Sequence, residues 1–93
     1  MILEKQIEAY LKSRIEKNLK GLCLKLVPLH FTGLPDRLCL IPKGRIFFVE
    51  TKSPGKDLRP RQAYVKKQLE SLGFTVYKID GKDQIDNLIN LYK

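Results

Sequence analysis

The spacing of apolar residues changes from four to two at Gly21, and this change of period constrains the fold more than any other feature of the chain. Before it, Leu3, Ile7, Leu11, Ile15 and Leu19 recur at every fourth position with Tyr10 beside them, the apolar stripe of an amphipathic helix of about five turns. Lys20-Gly21 predicts its end, with the glycine free to take a left-handed conformation just past the last turn. Leu22 to Val27 is then a β-rich run closed by Pro28, and a loop follows from His30 to Pro35. Two more strand signals, Asp36 to Ile41 and Arg45 to about Lys52, flank the turn-forming Pro42-Lys43-Gly44 and predict an antiparallel hairpin.

The helical period returns after the polar, turn-rich stretch from Ser53 to Arg59. Pro60 suits the first turn of a helix, because its missing N–H would be unpaired there anyway. Tyr64, Val65, Leu69 and Leu72 supply the apolar face of that helix and Gly73 closes it. Phe74 to Ile79 reads as a fourth strand buried on both faces, and Asp83 as the cap of a last short helix carrying Ile85, Leu88, Ile89 and Tyr92. The expected fold class is α/β in the order αβββαβα, a mixed sheet of about four strands flanked by helices. Its third and fourth strands should be joined by a right-handed parallel crossover.

A chain of 93 residues is expected to form one domain, 1–93. Its net charge is +8, but 43% of it is hydrophobic, enough for a core and too much for a disordered basic tail. No apolar run approaches the roughly 18 residues of a membrane span, and Glu4 and Glu8 stand where a signal peptide needs bases. The reading is an intracellular, cytoplasmic protein with no membrane partner. Cys23 and Cys39 lie in strand-like runs without metal-ligand spacing and read as reduced core residues. His30 is the single histidine and has no zinc partner in reach, and no glycine-rich loop cradles phosphate. Histidine-centred nucleophilic catalysis and nucleotide-phosphate chemistry therefore have little support and no nucleotide cofactor is expected, leaving carboxylate chemistry, a metal on oxygen ligands, or polyanion binding.

The segment that carries chemistry runs from Gly33-Leu34-Pro35-Asp36 to Phe48-Val49-Glu50-Thr51-Lys52. Residues two apart on a strand share a face, so Glu50 and Lys52 point the same way, about 7 Å apart, and Thr51 opposite. If the hairpin turns about Lys43, Asp36 falls directly across from Glu50, with two carboxylates about 5 Å apart beside a lysine. Such a pair repels unless a cation lies between its members. A divalent metal such as Mg²⁺ on Asp36 and Glu50, with the Thr51 carbonyl as a further ligand, resolves that repulsion and leaves waters for hydrolysis. Lys52 can position the water or stabilise a phosphoryl transition state.

These residues, with Gln62 opening the next helix and Gly73 closing it, resemble the PD-(D/E)XK nucleases and more narrowly VRR-NUC, the virus-type replication-repair nuclease domain, in its small stand-alone phage form. The resemblance covers nearly the whole chain and implies a restriction-endonuclease-like fold. It implies Asp36, Glu50 and Lys52 as catalytic residues with Gln62 near them, and Asp36, Glu50, the Thr51 carbonyl and a first-helix glutamate as metal ligands. Glu4 and Glu8 are one turn apart and both remain candidates, Glu8 preferred for its distance to the turn at Gly21. The implied activity is a Mg²⁺- or Mn²⁺-dependent endodeoxyribonuclease acting on Holliday junctions or other branched DNA as a homodimer, and the likeness to the phage form implies a phage-encoded protein in a bacterial host. The small core and the two-fold symmetry of a four-way junction agree with a dimer; the first helix, Phe31, Phe47 and Phe48 are its candidate interface.

Six bases against one acid between Lys52 and Lys67 place a basic surface beside these acids. Lys56, Arg59 and Arg61, with Lys43 and Arg37, are expected to bind DNA, branched or duplex, through counterion release. No recognition helix is evident, and aromatics are not interleaved with bases at stacking spacing, so backbone and shape recognition are expected. Two alternatives share these features: a non-catalytic DNA-binding module on the same fold, and an RNA-directed or protein-interaction role for the basic surface.

Overall fold

The computed structural model describes residues 2–27 and 29–93. Helix α1 (Glu4–Asn18) buries Ile7, Leu11 and Ile15 completely, as the four-residue spacing requires. At its end Lys20, rather than Gly21, takes the left-handed conformation, with φ 58°. Gly21 has a different necessity: a Cβ there would stand 2.5 Å from the Leu40 carbonyl oxygen and 2.7 Å from the Ile41 side chain. The absent side chain lets the chain leave the helix directly against the sheet.

Strands β1 (Leu22–Lys25), β2 (Arg37–Ile41), β3 (Arg45–Thr51) and β4 (Thr75–Ile79) form one sheet in the order β1-β2-β3-β4. β1 is shorter than the run from Leu22 to Val27 suggested. β2 and β3 pair antiparallel from Ile41 opposite Arg45 to Arg37 opposite Val49, the register expected of a turn about Lys43. Lys43 and Gly44, at φ 71° and 70°, supply the two left-handed residues such a turn uses. β3 and β4 are parallel, joined through helix α2 (Pro60–Ser71). β4 is an edge strand by its pairing, yet it is covered on both faces as its apolar sequence predicted, burying Val76 on one and Ile79 on the other. Helix α3 (Lys82–Tyr92) begins one residue before Asp83. Its first turn is closed by Asp80, whose N–H donates to Gln84 Oε1 at 2.7 Å and whose carboxylate accepts from Gln84 Nε2 at 2.9 Å.

α1 and α3 cover one face of the sheet, over Cys23, Cys39, Phe47, Val49 and Ile79. Phe47 stacks on Tyr92 at 4.5 Å and meets Tyr77 edge-on at 5.6 Å. It is wholly buried, which removes it from the candidate interface residues. On the other face α2 packs on β4 through Val65 and Val76, while Tyr64 and Leu72, expected on its apolar face, are exposed. Across β1, β2 and β3 that second face carries two apolar rows in register, Leu22, Leu40 and Ile46, then Leu24, Leu38 and Phe48. Among the described residues no helix packs on those rows, and Leu22, Leu24 and Ile46 are exposed.

Candidate active site

β3 ends with its last residues between two helices, α1 on one face and α2 on the other, and the acids gather there. The chain bends at Asp36 as it enters β2, so this side chain leaves the pleat that β2 and β3 share. The Asp36 N–H donates to Glu50 Oε1 at 3.1 Å, which keeps the two residues opposed as the hairpin register demands. The Asp36 carboxylate itself turns to Thr51, accepting the backbone N–H at 3.1 Å and the hydroxyl. Asp36 is thus bound to both members of the Glu50-Thr51 pair, through its backbone to one and its side chain to the other.

Glu50 is buried, and its second oxygen accepts from Gln62 Nε2 at 2.9 Å and lies 3.6 Å from Lys52 Nζ. Gln62 is committed at both ends of its amide, because its Oε1 accepts the Arg59 N–H at 2.9 Å and so satisfies an unpaired donor at the start of α2. One residue both caps the helix and holds Glu50. Burial, with the charge of Asp36 adding to it, pushes the Glu50 carboxyl up to about 7 against the opposing pull of Lys52. Burial also raises Asp36 above the ordinary carboxylate range; the hydrogen bonds from Thr51 oppose this and the charge of Glu8 adds to it.

Glu4, Glu8 and Asp36 each bring a carboxylate oxygen within 4.8 Å of the others. Both first-helix candidates therefore reach Asp36. They differ in their surroundings: Glu8 is paired with Arg37 at 3.3 Å and Lys25 at 3.7 Å, whereas Glu4 lines a cleft of 360 Å³ with Lys52, Ser53, Lys56, Asp57 and Arg59. Glu4, Glu8 and Asp36 form an all-oxygen donor set, while Glu50, held by the Asp36 N–H and by Gln62, is not part of that converging group. That set suits a hard divalent cation such as Mg²⁺ or Mn²⁺. A larger groove of 470 Å³ between β4 and α3, lined by Tyr77, Ile79, Leu88 and Leu91 among others, brings no carboxylate to its walls.

The bases expected to meet DNA divide by position. Lys56 and Arg59 line the cleft that also holds Glu4 and Lys52, and Arg61 lies in the first turn of α2 beside Gln62. Lys43 is in the β2–β3 turn, at the far end of β3 from Glu50. Arg37 is largely buried, donating to Glu8 at 3.3 Å and to the Cys23 carbonyl at 3.2 Å, so it orients a first-helix acid rather than presenting a free cation.

Asp80 was not evident from the sequence as part of this region. It accepts the Gly55 N–H at 3.1 Å while Lys78 reaches Asp57 at 3.7 Å, so β4 fastens the loop that carries Lys56 and Arg59. Only the Asp80-x-x-x-Gln84 spacing at a helix start could have drawn attention to it. Gly33 closes the other side: its φ is +88°, and a Cβ would stand 2.9 Å from the Arg61 carbonyl oxygen. Gly33→Ala should therefore cost about 2–4 kcal/mol, from backbone strain and a clash that backbone cannot relieve. Denaturant unfolding measures it, and a loss under about 1 kcal/mol would contradict the tight approach of this loop to α2.

No family model matches the chain. "Putative nuclease p44" of Acyrthosiphon pisum secondary endosymbiont phage 1 is 39% identical over 83 residues, covering 89% of this chain and 88% of that protein. A solved structure described as a VRR_NUC domain superposes with a TM-score of 0.88 and 33% identity, covering 97% of each chain.

Proposed function

The chain belongs to the VRR-NUC family of nucleases, and from that premise we propose that it is a Mg²⁺- or Mn²⁺-dependent endonuclease that cuts branched DNA as a homodimer. The observation that carries this reading is that Asp36, beside one end of β3, converges with Glu4 and Glu8 and is hydrogen-bonded to Glu50, which lies beside Lys52, with Lys56 and Arg59 around the adjoining cleft. Asp36, Glu50, the Thr51 carbonyl and Glu8 would hold the ion, with Glu4 within the same reach. Such an ion, when bound, supplies Lewis acidity that activates water and offsets phosphoryl charge.

The protein's own groups do the rest. Lys52, held beside Glu50, is placed to orient the attacking water and to stabilise charge developing on the phosphate oxygens. Gln62 fixes the Glu50 carboxylate, and Arg37 fixes Glu8. Lys56 and Arg59 draw flanking phosphates to the cleft and make binding fall steeply with salt.

The open apolar face of β1, β2 and β3 supports the dimer. It carries none of the chain's excess cations among its six side chains, so it does not suit a polyanion. A second copy presents the same apolar rows about a two-fold axis, and a patch of this kind is rarely left to water. The test is cleavage of a labelled four-way junction and its matching linear duplex in Mg²⁺, Mn²⁺ and EDTA, with the solution mass from sedimentation equilibrium. Paired symmetric cuts with either metal, none in EDTA, and twice the chain's 10.8 kDa are expected. Cutting in EDTA would overturn the metal reading, equal rates on the duplex the branch preference, and a mass of one chain the dimer.

A further inference from the structure

Phe31 and Arg61 are thirty residues apart in sequence, yet the guanidinium of Arg61 lies 5.5 Å from the centre of the Phe31 ring and 5.3 Å from that of Tyr64. We propose that Phe31, Arg61 and Tyr64 form a stacking platform for an unpaired base of branched DNA, on the same end of α2 that carries Gln62. This deepens the reading of the protein as a DNA endonuclease and rests on it for the identity of the ligand.

Both rings are unusually wet for aromatics, Phe31 being 45% and Tyr64 54% exposed, so ring faces are available to a ligand. The platform is also held in place before anything binds. Arg61 Nε donates to the Thr32 carbonyl at 3.2 Å, which ties the loop carrying Phe31 to the helix carrying Tyr64. Gly33 brings the same loop against Arg61 so closely that no Cβ fits. Tyr64 is steadied by Gln68, which donates to its hydroxyl at 3.4 Å. The next residue after Arg61 is Gln62, whose side chain holds Glu50. The platform and the group that holds Glu50 thus share the first turns of α2.

Chemistry selects the ligand. Flat π faces joined by a guanidinium favour another π face, and a base can offer one only where it has left the helical stack. Continuous duplex provides none, whereas a branch point provides bases that open at small cost. The platform thus discriminates by base exposure, and does so without reading sequence.

The experiment uses a four-way junction carrying 2-aminopurine at the nucleotides flanking the branch, and a linear duplex with the same label, both in EDTA so that no strand is cut. Binding of the parent protein should quench the label in the junction and leave it unchanged in the duplex. Phe31→Ala/Tyr64→Ala should abolish the quenching and weaken junction binding by about 5- to 150-fold, with duplex affinity within about twofold. Phe31→Trp should keep both properties, and thermal melting controls for folding. Equal weakening on junction and duplex, or quenching that survives the double substitution, would overturn the platform. Because no cleavage is required, a protein that fails to cut with any metal but shows these changes would refute the nuclease mechanism and leave the platform standing.

Discussion

Lys52→Ala lowers the rate of junction cleavage by about 10²- to 10³-fold while junction affinity changes by no more than about threefold. The asymmetry follows from what Lys52 touches. Its ammonium is 3.6 Å from Glu50 and mostly enclosed, so it is one cation among many for binding but the one beside the buried acid. Charge that develops on a phosphate oxygen during hydrolysis would be met there by a group already oriented and shielded from water, which is where a single charge has most effect. Glu50→Ala should lose at least as much activity, because it removes a proposed metal ligand and also the acceptor of the Asp36 N–H and of Gln62. Single-turnover cleavage with saturating enzyme separates the rate from the affinity. If both variants cut at the parent's rate, the site is misassigned. If affinity falls in step with rate, Lys52 is a binding residue only.

The metal-free protein becomes less stable as pH rises from about 5 to about 8, and Mn²⁺ restores what is lost. The sign follows from Glu50, whose carboxyl is pushed up to about 7 from an ordinary 4.5. Below the ordinary value it is protonated in both folded and unfolded chains, and folding is unpenalised. Between the two values the unfolded chain releases the proton and the folded chain keeps it, so each step upward favours unfolding until the folded group also ionises near pH 7. Burial shifts Asp36 in the same direction. Asp80 shifts the opposite way, lowered chiefly by the Gly55 N–H, so its contribution is lost only in more acidic solution.

Glu50→Gln removes the effect at its source. In EDTA at pH 8 its melting temperature should exceed the parent's by about 5 °C or more, since about 1 kcal/mol moves a domain of this size by about that much. The variant should also respond little to Mn²⁺. Thermal melts across pH 5–8, with EDTA and with Mn²⁺, give all these quantities. A melting temperature that is flat with pH in EDTA, or a variant no more stable than the parent at pH 8, would contradict the placement of Glu50 as a buried, crowded acid.

Much of the fold was legible in the sequence because it rests on local rules. The four-residue stripe of α1, the Pro42-Lys43-Gly44 turn, Pro60 at the start of α2 and Gly73 at its end are each decided by neighbours a few residues away. The turn also determines the β2–β3 register, and the register brings Asp36 opposite Glu50. Local reasoning failed where two sterically allowed choices differ only in distant surroundings. The glycine at the end of α1 was such a place, since Gly21 is demanded by the approach of β2 and not by its own φ. So were Tyr64 and Leu72, which helical spacing places on the apolar face of α2 but which the packing leaves exposed.

The site divides along the same line. The sequence by itself determined that Asp36, Glu50, Thr51 and Lys52 would meet, because a hairpin joins residues by counting outward from its turn. Only the tertiary structure decided which cations are paired with acids, Arg37 with Glu8 and Lys78 with Asp57, and that Arg61 lies between the rings of Phe31 and Tyr64. A net charge is a sum over the whole chain, whereas a side chain's partner depends on packing between segments far apart in sequence. The charge of +8 therefore foretold a basic surface, and the packing of a loop, a strand and two helices decided where on that surface the acids, the free bases and the exposed rings lie.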